Sequence, residues 1–549
     1  MYLQQDAEMR DSIPPAPDGS KAVGQPRGRS IFQKFRGLGG LFLLLAVCVI
    51  GVMIFYGPTD NWSWDPSFYY AQIRSPIIEN DLNFRNETLT GVYVLKDTAM
   101  GLQASSWPVG PSILWSPFFL IAHVLVLLIA PAQATGFSFP YIALVSFGSM
   151  LYGAAGLFVL YKICRHYAGR YLSIVTVLLS FGATPLFFYM FRQPIMAHTT
   201  SLLVSATLFG FYIKLVETQL FKNTSGLIFG ILLGLSVLTR WSGTIFAIFP
   251  AVYFVGQLIE IVKLKEFFRL KGLFQQILIM AISFFVVISP QMALWYRLHG
   301  KILVSPQRAA NFVTTVLPIN SLKLFFDTNR GVLFWSPFAF VGLFGVLRIP
   351  NPSIRVSTLL VIVLQVVLIG YRVDWFGGGG YGARYFIELL PFLAVGFVVL
   401  VRGLSNSTLG KIVLAICAIG LIGHQAMLVY SVEHGPDGWL SMADYFGGQP
   451  LGIDWQVRNS LALLRSPLEW FVPRPFVLQE RQTILVNIMA GVRDIHAYLI
   501  PLGAVMLTPL ALLLFSKIRK KVSVAHLLPI LLGTAGYFFA WSIYYLAVG

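Results

Sequence analysis

Residues 37–57 read GLGGLFLLLAVCVIGVMIFYG, twenty-one positions without a charge. A helix needs about 20 apolar residues to cross a bilayer. Lys21, Arg27, Arg29, Lys34 and Arg36 precede the run, so the positive-inside rule places that side in the cytoplasm. Residues 1–36, rich in Pro, Gly and charge with no apolar period, read as a disordered cytoplasmic tail. The run is too long and too far along the chain for a signal peptide.

Working outward, the same composition recurs. Of the 549 residues, 56% are hydrophobic and 11% charged, against about 25% charged in soluble domains. Mean hydropathy is +0.72. Too few charges remain to cover a water-facing surface, so the chain is expected to be an all-α polytopic membrane protein. That excludes a soluble enzyme and a disulfide-stapled secreted domain. The net charge of +17 comes from basic residues clustered between apolar runs, as orienting charges are, so no nucleic-acid partner is expected. Cys48, Cys164 and Cys417 show no metal-binding or redox spacing.

Thirteen further apolar segments follow, from 112–134 to 525–547. Fourteen strict crossings would put Lys162, Arg165, His166 and Arg170, and also Lys263, Lys265, Arg269 and Lys271, outside. If 112–134 returns to the side it came from, those clusters fall inside, together with Lys214, Arg348, Arg355, Arg402 and Lys411. About thirteen crossings are therefore expected, and the prolines of 112–134 suggest an irregular path there. The outer side then receives 58–111, 191–197, Arg240, 298–330, 371–384 and the long loop 432–494. Nearly all the unusual polar residues lie in these stretches, so chemistry is expected at the outer face.

The first outer loop carries Trp64-Asp65-Pro66-Ser67-Phe68-Tyr69-Tyr70, then Arg74, then Glu79-Asn80-Asp81. Asp65 beside aromatics suits a general base, and Asp before Pro equally suits a helix cap. Trp107-Pro108-Val109-Gly110-Pro111 reads as a rigid turn opening an apolar helix. Arg192 and His198 flank a short turn, where they can bind phosphate or anchor at the interface. Arg240 sits between two apolar segments with almost no loop, a costly place for a charge unless it faces a water-filled cavity or an anion. Asp374-Trp375-Phe376-Gly377-Gly378-Gly379-Gly380-Tyr381-Gly382-Ala383-Arg384-Tyr385 lets a backbone approach a ligand and offers N–H groups to an anion; flexible filler is the other reading.

In this order, the first-loop Asp65 motif, "WPVGPSILWSPFF", "RQPIMAHTTSLL", "GLSVLTRWSG", "FDTNRGVLFWSPF" and "DWFGGGGYGARYFIELLPFLAVG" resemble the polytopic glycosyltransferases of the C-type (GT-C) fold. That family includes protein O-mannosyltransferases and aminoarabinose transferases. The resemblance runs from about residue 60 to 400. It implies a GT-C-like catalytic module, set at 37–430; from position alone the outer loop 431–494 is expected to shape acceptor choice, and the last two apolar runs are expected to form a C-terminal transmembrane hairpin over 495–549. It implies inverting transfer of a hexose or pentose from a polyprenyl-phosphate donor to a lipid, glycan or protein hydroxyl at the outer face of a bacterial inner membrane. Asp65 would be the base. Arg74, Arg240, Arg384 and His198 would bind the donor phosphate. Tyr69, Tyr70, Trp375, Tyr381 and Tyr385 would contact substrate. No cofactor is expected and a divalent metal is not indicated. Relatives often carry an acidic pair where this chain has Asp65-Pro66, so Glu79, Asp81 or Asp374 would supply any second carboxylate. The competing class is a transporter or flippase of a lipid-linked or anionic solute. No internal repeat supports it, and the long outer loops favour an enzyme.

Overall fold

The computed structural model describes residues 64–87, 96–105, 107–218, 223–304, 317–328, 330–378 and 380–434. The first apolar run, the outer loop 431–494 beyond residue 434 and the C-terminal hairpin lie outside the described residues. The chain over this range is almost entirely helical. Its one strand pair, β1 (Lys96–Asp97) with β2 (Gln103–Ala104), is an antiparallel clip in the first loop.

The principal helices are α1 (Trp64–Arg74), α2 (Gly110–Ile129), α3 (Phe139–Tyr167), α4 (Arg170–Gly182), α5 (Leu186–Phe191), α6 (His198–Thr218) and α7 (Asn223–Thr239). They continue with α8 (Ile248–Leu264), α9 (Leu270–His299), α10 (Pro337–Val346), α11 (Pro352–Gly370), α12 (Leu390–Val401) and α13 (Thr408–His434). Among the described residues, eight helices are long and apolar enough to span a membrane, and three shorter ones are apolar. Every apolar segment read from the sequence within this range is helical. The breaks fall at particular residues: Ala183-Thr184-Pro185 separates α4 from α5, and Arg240 separates α7 from the 3-10 turn Trp241–Ala247 that leads into α8.

Tight helix contacts follow small residues. Gly226, Gly230 and Gly234, four apart along α7, face Gln276, Ser283 and Val287 of α9 so closely that a Cβ at each would collide. This is the small-residue spacing that lets membrane helices approach at backbone distance.

The irregular path expected for 112–134 is not what forms. Helix α2 continues through Pro117, and the carbonyl of Ile113, which Pro117 cannot serve, accepts instead from Ser116 Oγ at 2.7 Å. Its level is informative. Helix α2 runs antiparallel to the first half of α3, with His123 Nδ1 2.7 Å from the Tyr141 hydroxyl and Tyr152 donating to the Leu114 carbonyl at 2.7 Å. Helix α6 starts only at that depth. Thr199 meets Ser149 at 2.7 Å, and Leu202 then lies against Gly156 and Ile163 against Gly210. At 1.5 Å per residue α3 is about 43 Å long, more than a bilayer core. Helices α2 and α6 therefore occupy successive levels along it rather than one slab.

The two ends of the bundle differ in chemistry. At one end gather α1, the starts of α6 and α12, and the ends of α7, α9 and α11. There Val109 N–H donates to Gln291 Oε1 at 2.8 Å and Trp241 stacks on Trp295 at 5.3 Å. At the other end lie the basic clusters, where His166 meets Glu217 and Tyr171 donates to the Lys411 carbonyl.

Candidate active site

Asp65 occupies the first turn of α1, and its Oδ2 accepts from Arg384 Nη1 at 2.9 Å across 319 residues of sequence. Its side chain is 21% exposed, so the carboxylate is held and still reachable. Gly377 and Gly380 make room for its partner. A Cβ at either position would lie 3.1 or 2.7 Å from Arg384 Nε. The glycine run thus cradles the arginine, where the sequence suggested direct backbone contact with an anion. Gly377, Gly378 and Gly382 also have φ of +88°, +59° and +58°, a region other residues enter at a cost.

Four residues beyond Arg384, in the same 3-10 helix, lies Glu388, 2% exposed. Its Oε2 is 3.4 Å from Arg240 Nε, and its Oε1 accepts from Ser242 Oγ at 2.7 Å and Gln365 Nε2 at 2.6 Å. Arg240 Nη1 is 2.8 Å from His198 Nδ1. That nitrogen must offer a lone pair to a guanidinium, so the imidazole is neutral with its proton on Nε2. A third pair, Arg372 Nη2 with Asp374 Oδ2 at 2.7 Å, completes the set.

These three ion pairs surround one ring. The guanidinium carbons of Arg240, Arg384 and Arg372 lie 5.7, 5.8 and 5.9 Å from the centre of Tyr385, within cation–π range. Tyr69, one turn after Asp65, is buried; burial pushes its hydroxyl pKa up, and Arg240, Asp65, Arg384 and Glu388 all act on it. A fourth arginine, Arg330, is 2% exposed and stands 5.4 Å over Trp335; it and Arg384 both act on Tyr189. Arg384 Nε has no hydrogen-bond acceptor among the described residues. A buried donor without one costs about 1–3 kcal/mol.

Other sequence candidates fall elsewhere. Arg74 is not at the site. It is fully engaged where α1 ends, donating through Nε to the Thr135 carbonyl at 2.6 Å, through Nη1 to Glu87 at 2.7 Å and through Nη2 to Glu79 at 2.8 Å. About nine residues of helix separate it from Asp65, roughly 14 Å. Tyr70 turns away from Tyr69, packs on Phe119 and donates to the Gly136 carbonyl. Tyr381 is fully buried, stacked on Phe188 at 4.4 Å, with its hydroxyl accepting from Gln425; it supports the site from beneath. Trp375 is buried beside Phe376, with Lys323 5.9 Å from its ring. Of the spare carboxylates, Glu79 pairs with Arg74 and Asp81 accepts from Ser75, and only Asp374 joins the arginine cluster.

Glu388 and Arg372 were not singled out from the sequence. Glu388 had a signal: an acid inside an otherwise apolar helix, at i+4 from Arg384, belongs on the same face and needs a partner. Among the described residues no three His, Cys, Asp or Glu side chains gather as metal ligands.

No family model matches the sequence, and no curated relative matches it. Solved structures similar to the chain include the apo oligosaccharyltransferase of Archaeoglobus fulgidus, at TM-score 0.43 and 14% identity over 77% of this chain and 61% of that one. The same organism's oligosaccharyltransferase AglB, in complex with an inhibitory peptide and a dolichol-phosphate, gives the same score and identity and is covered over 60% of its length. ArnT from Cupriavidus metallidurans bound to undecaprenyl phosphate gives 0.44 and 14% over 88% of this chain and 81% of that one. The chain thus spans about three fifths of the oligosaccharyltransferases it resembles. In structure it is similar to these GT-C-fold membrane glycosyltransferases.

Proposed function

We propose that this protein transfers a sugar from a polyprenyl-phosphate donor to an acceptor hydroxyl, at the end of the helix bundle opposite the basic clusters. The observation that carries the reading is the Asp65–Arg384 pair set beside the arginine cluster around Tyr385. A reachable carboxylate on a loop helix, next to a cluster of arginines, is what transfer from a lipid phosphate requires. Arg384 occupies one oxygen of Asp65 and leaves the other to receive the acceptor proton. The acceptor oxygen then bonds to the anomeric carbon while the bond from that carbon to the phosphate oxygen breaks. Attack from the face opposite the leaving group inverts the centre. The electron pair stays on the phosphate, whose added charge Arg240, Arg372 and Arg384 stabilise.

Short basic loops at the opposite end support an active site on the outer side of the membrane. The loop beyond residue 434 is the candidate for acceptor selection.

The test is sugar release from radiolabelled polyprenyl-phosphate sugars by the purified protein in lipid. Release by the wild type and not by Asp65→Asn supports the reading. Release from no donor, with lipid or solute still crossing the bilayer, would replace it with transport.

A further inference from the structure

At the basic end, far from Asp65, a cleft of about 490 Å³ opens between the α3–α4 turn and the segments that follow α10 and α12. Arg348 and Arg402 line it, with Ser405 and Asn406 adding polar groups and no carboxylate among the lining residues. Neither guanidinium makes an ion pair or side-chain hydrogen bond with a described residue, whereas at the site end Arg240, Arg372 and Arg384 each have an acid. Arg165, at the α3–α4 turn, bridges to the Ala168 carbonyl at 2.9 Å and adds a third positive charge at the rim.

The ordinary role of such arginines is to orient the chain and to face helix C-terminal carbonyls. That role needs no cleft. Arg348 and Arg402 are exposed; two such guanidiniums without an acid, lining one polar cleft with a serine hydroxyl and an asparagine amide, have the composition of a phosphate site. The surroundings say which phosphate. Phe344 and Leu347, within one turn of Arg348, are 54% and 58% exposed, and Leu404, two residues after Arg402, is 48% exposed. An apolar surface leading directly to a basic cavity suits an acyl chain below a headgroup. Basic pockets between membrane helices on the cytoplasmic side bind anionic lipid headgroups in this way.

We propose that this cleft binds the phosphate headgroup of an anionic phospholipid through Arg348 and Arg402. The site is separate from the one that holds Asp65 and does not depend on the transferase reading. The full-length protein in phosphatidylcholine nanodiscs is titrated with phosphatidylglycerol, and bound lipid is counted by native mass spectrometry. Wild type should prefer phosphatidylglycerol, and Arg348→Gln with Arg402→Gln should weaken binding about 30-fold, the effect of two arginines near a lipid surface. Lys271→Gln, a single charge at the same end outside the cleft, should cost no more than about fivefold, the effect of one charge near a lipid surface, and Asp65→Asn should stay within about twofold. Unchanged thermal unfolding of the double variant shows that it is folded. Glycerol phosphate is the competing probe: saturation by it at equal affinity, with the same arginine dependence, would overturn the lipid assignment in favour of a soluble phosphate ester. No preference for phosphatidylglycerol, or a Lys271→Gln effect as large as that of the pair, would overturn the site itself.

Discussion

Replacing Gly380 by alanine should cripple turnover without unfolding the protein. An added Cβ would stand 2.7 Å from Arg384 Nε and 2.8 Å from its Cδ and Cζ. Ordinary contact needs about 3.5 Å or more, so the guanidinium must withdraw by about 0.7–1 Å. The atoms that yield belong to the end of a flexible side chain, so the fold loses little. The 2.9 Å contact with Asp65 then stretches beyond hydrogen-bonding range. A hydrogen bond to a charged group contributes about 1.5–3 kcal/mol, equivalent to a 10- to 150-fold fall in kcat/KM for the lipid-linked donor. Gly378→Ala is the control, because a Cβ there meets nothing within 4 Å and the cost is only the left-handed φ of +59°. Steady-state sugar release should fall in Gly380→Ala far more than in Gly378→Ala, with thermal unfolding of Gly380→Ala close to wild type. Equal activity in the two variants would refute the claim that the glycine run exists to seat Arg384.

Arg74→Lys should loosen the first loop, because one ammonium cannot span the planar fork that reaches Thr135, Glu87 and Glu79. Faster hydrogen exchange at 130–137 with a donor KM within about threefold of wild type is expected, while Arg384→Lys should raise KM at least about tenfold; the reverse order would return Arg74 to the phosphate site. Burial raises Glu87 to about 7, with Arg74 pulling the other way. A folded value above the unfolded one favours the protonated carboxyl in the folded loop, so this contribution is complete below about pH 4.5 and is lost as pH rises through about 7. Exchange protection of the loop should therefore decline from pH 5 to pH 8, and Glu87→Gln should flatten the decline; a slope unchanged in that variant would exclude Glu87 as its source. Glu388→Gln should cost about 1–3 kcal/mol of stability by leaving the half-buried Arg240 beside a neutral amide, and unaltered thermal unfolding would show that the pair holds nothing together.

Much of the architecture was legible because composition and periodicity are local. Apolar runs of membrane length become helices wherever the structure describes them, and the position of Arg240 between two such runs marked a break and a half-buried charge. Asp65, His198, Arg240, Arg384 and Tyr385 could be singled out because each is polar in an apolar setting. Their partners could not, since pairing is a property of helices brought together: nothing near Asp65 in sequence names Arg384, 319 residues away. Arg74 was misread for the same reason. A cation after an aromatic helix suits phosphate until Glu79, Glu87 and Thr135 are found around it. The glycine run was read as a ligand cradle, and it cradles a side chain of its own loop. For α2, proline content suggested irregularity, yet Ser116 supplies the bond that Pro117 removes and the helix runs on.

The most direct test of the account measures donor binding and turnover side by side in Asp65→Asn. If Asp65 takes the acceptor proton and the arginines hold the phosphate, the variant should bind the polyprenyl-phosphate sugar within a few-fold of wild type. Its turnover should fall by about 10²–10⁴-fold, the usual contribution of a general base. Turnover equal to wild type would remove Asp65 from the reaction and contradict the account.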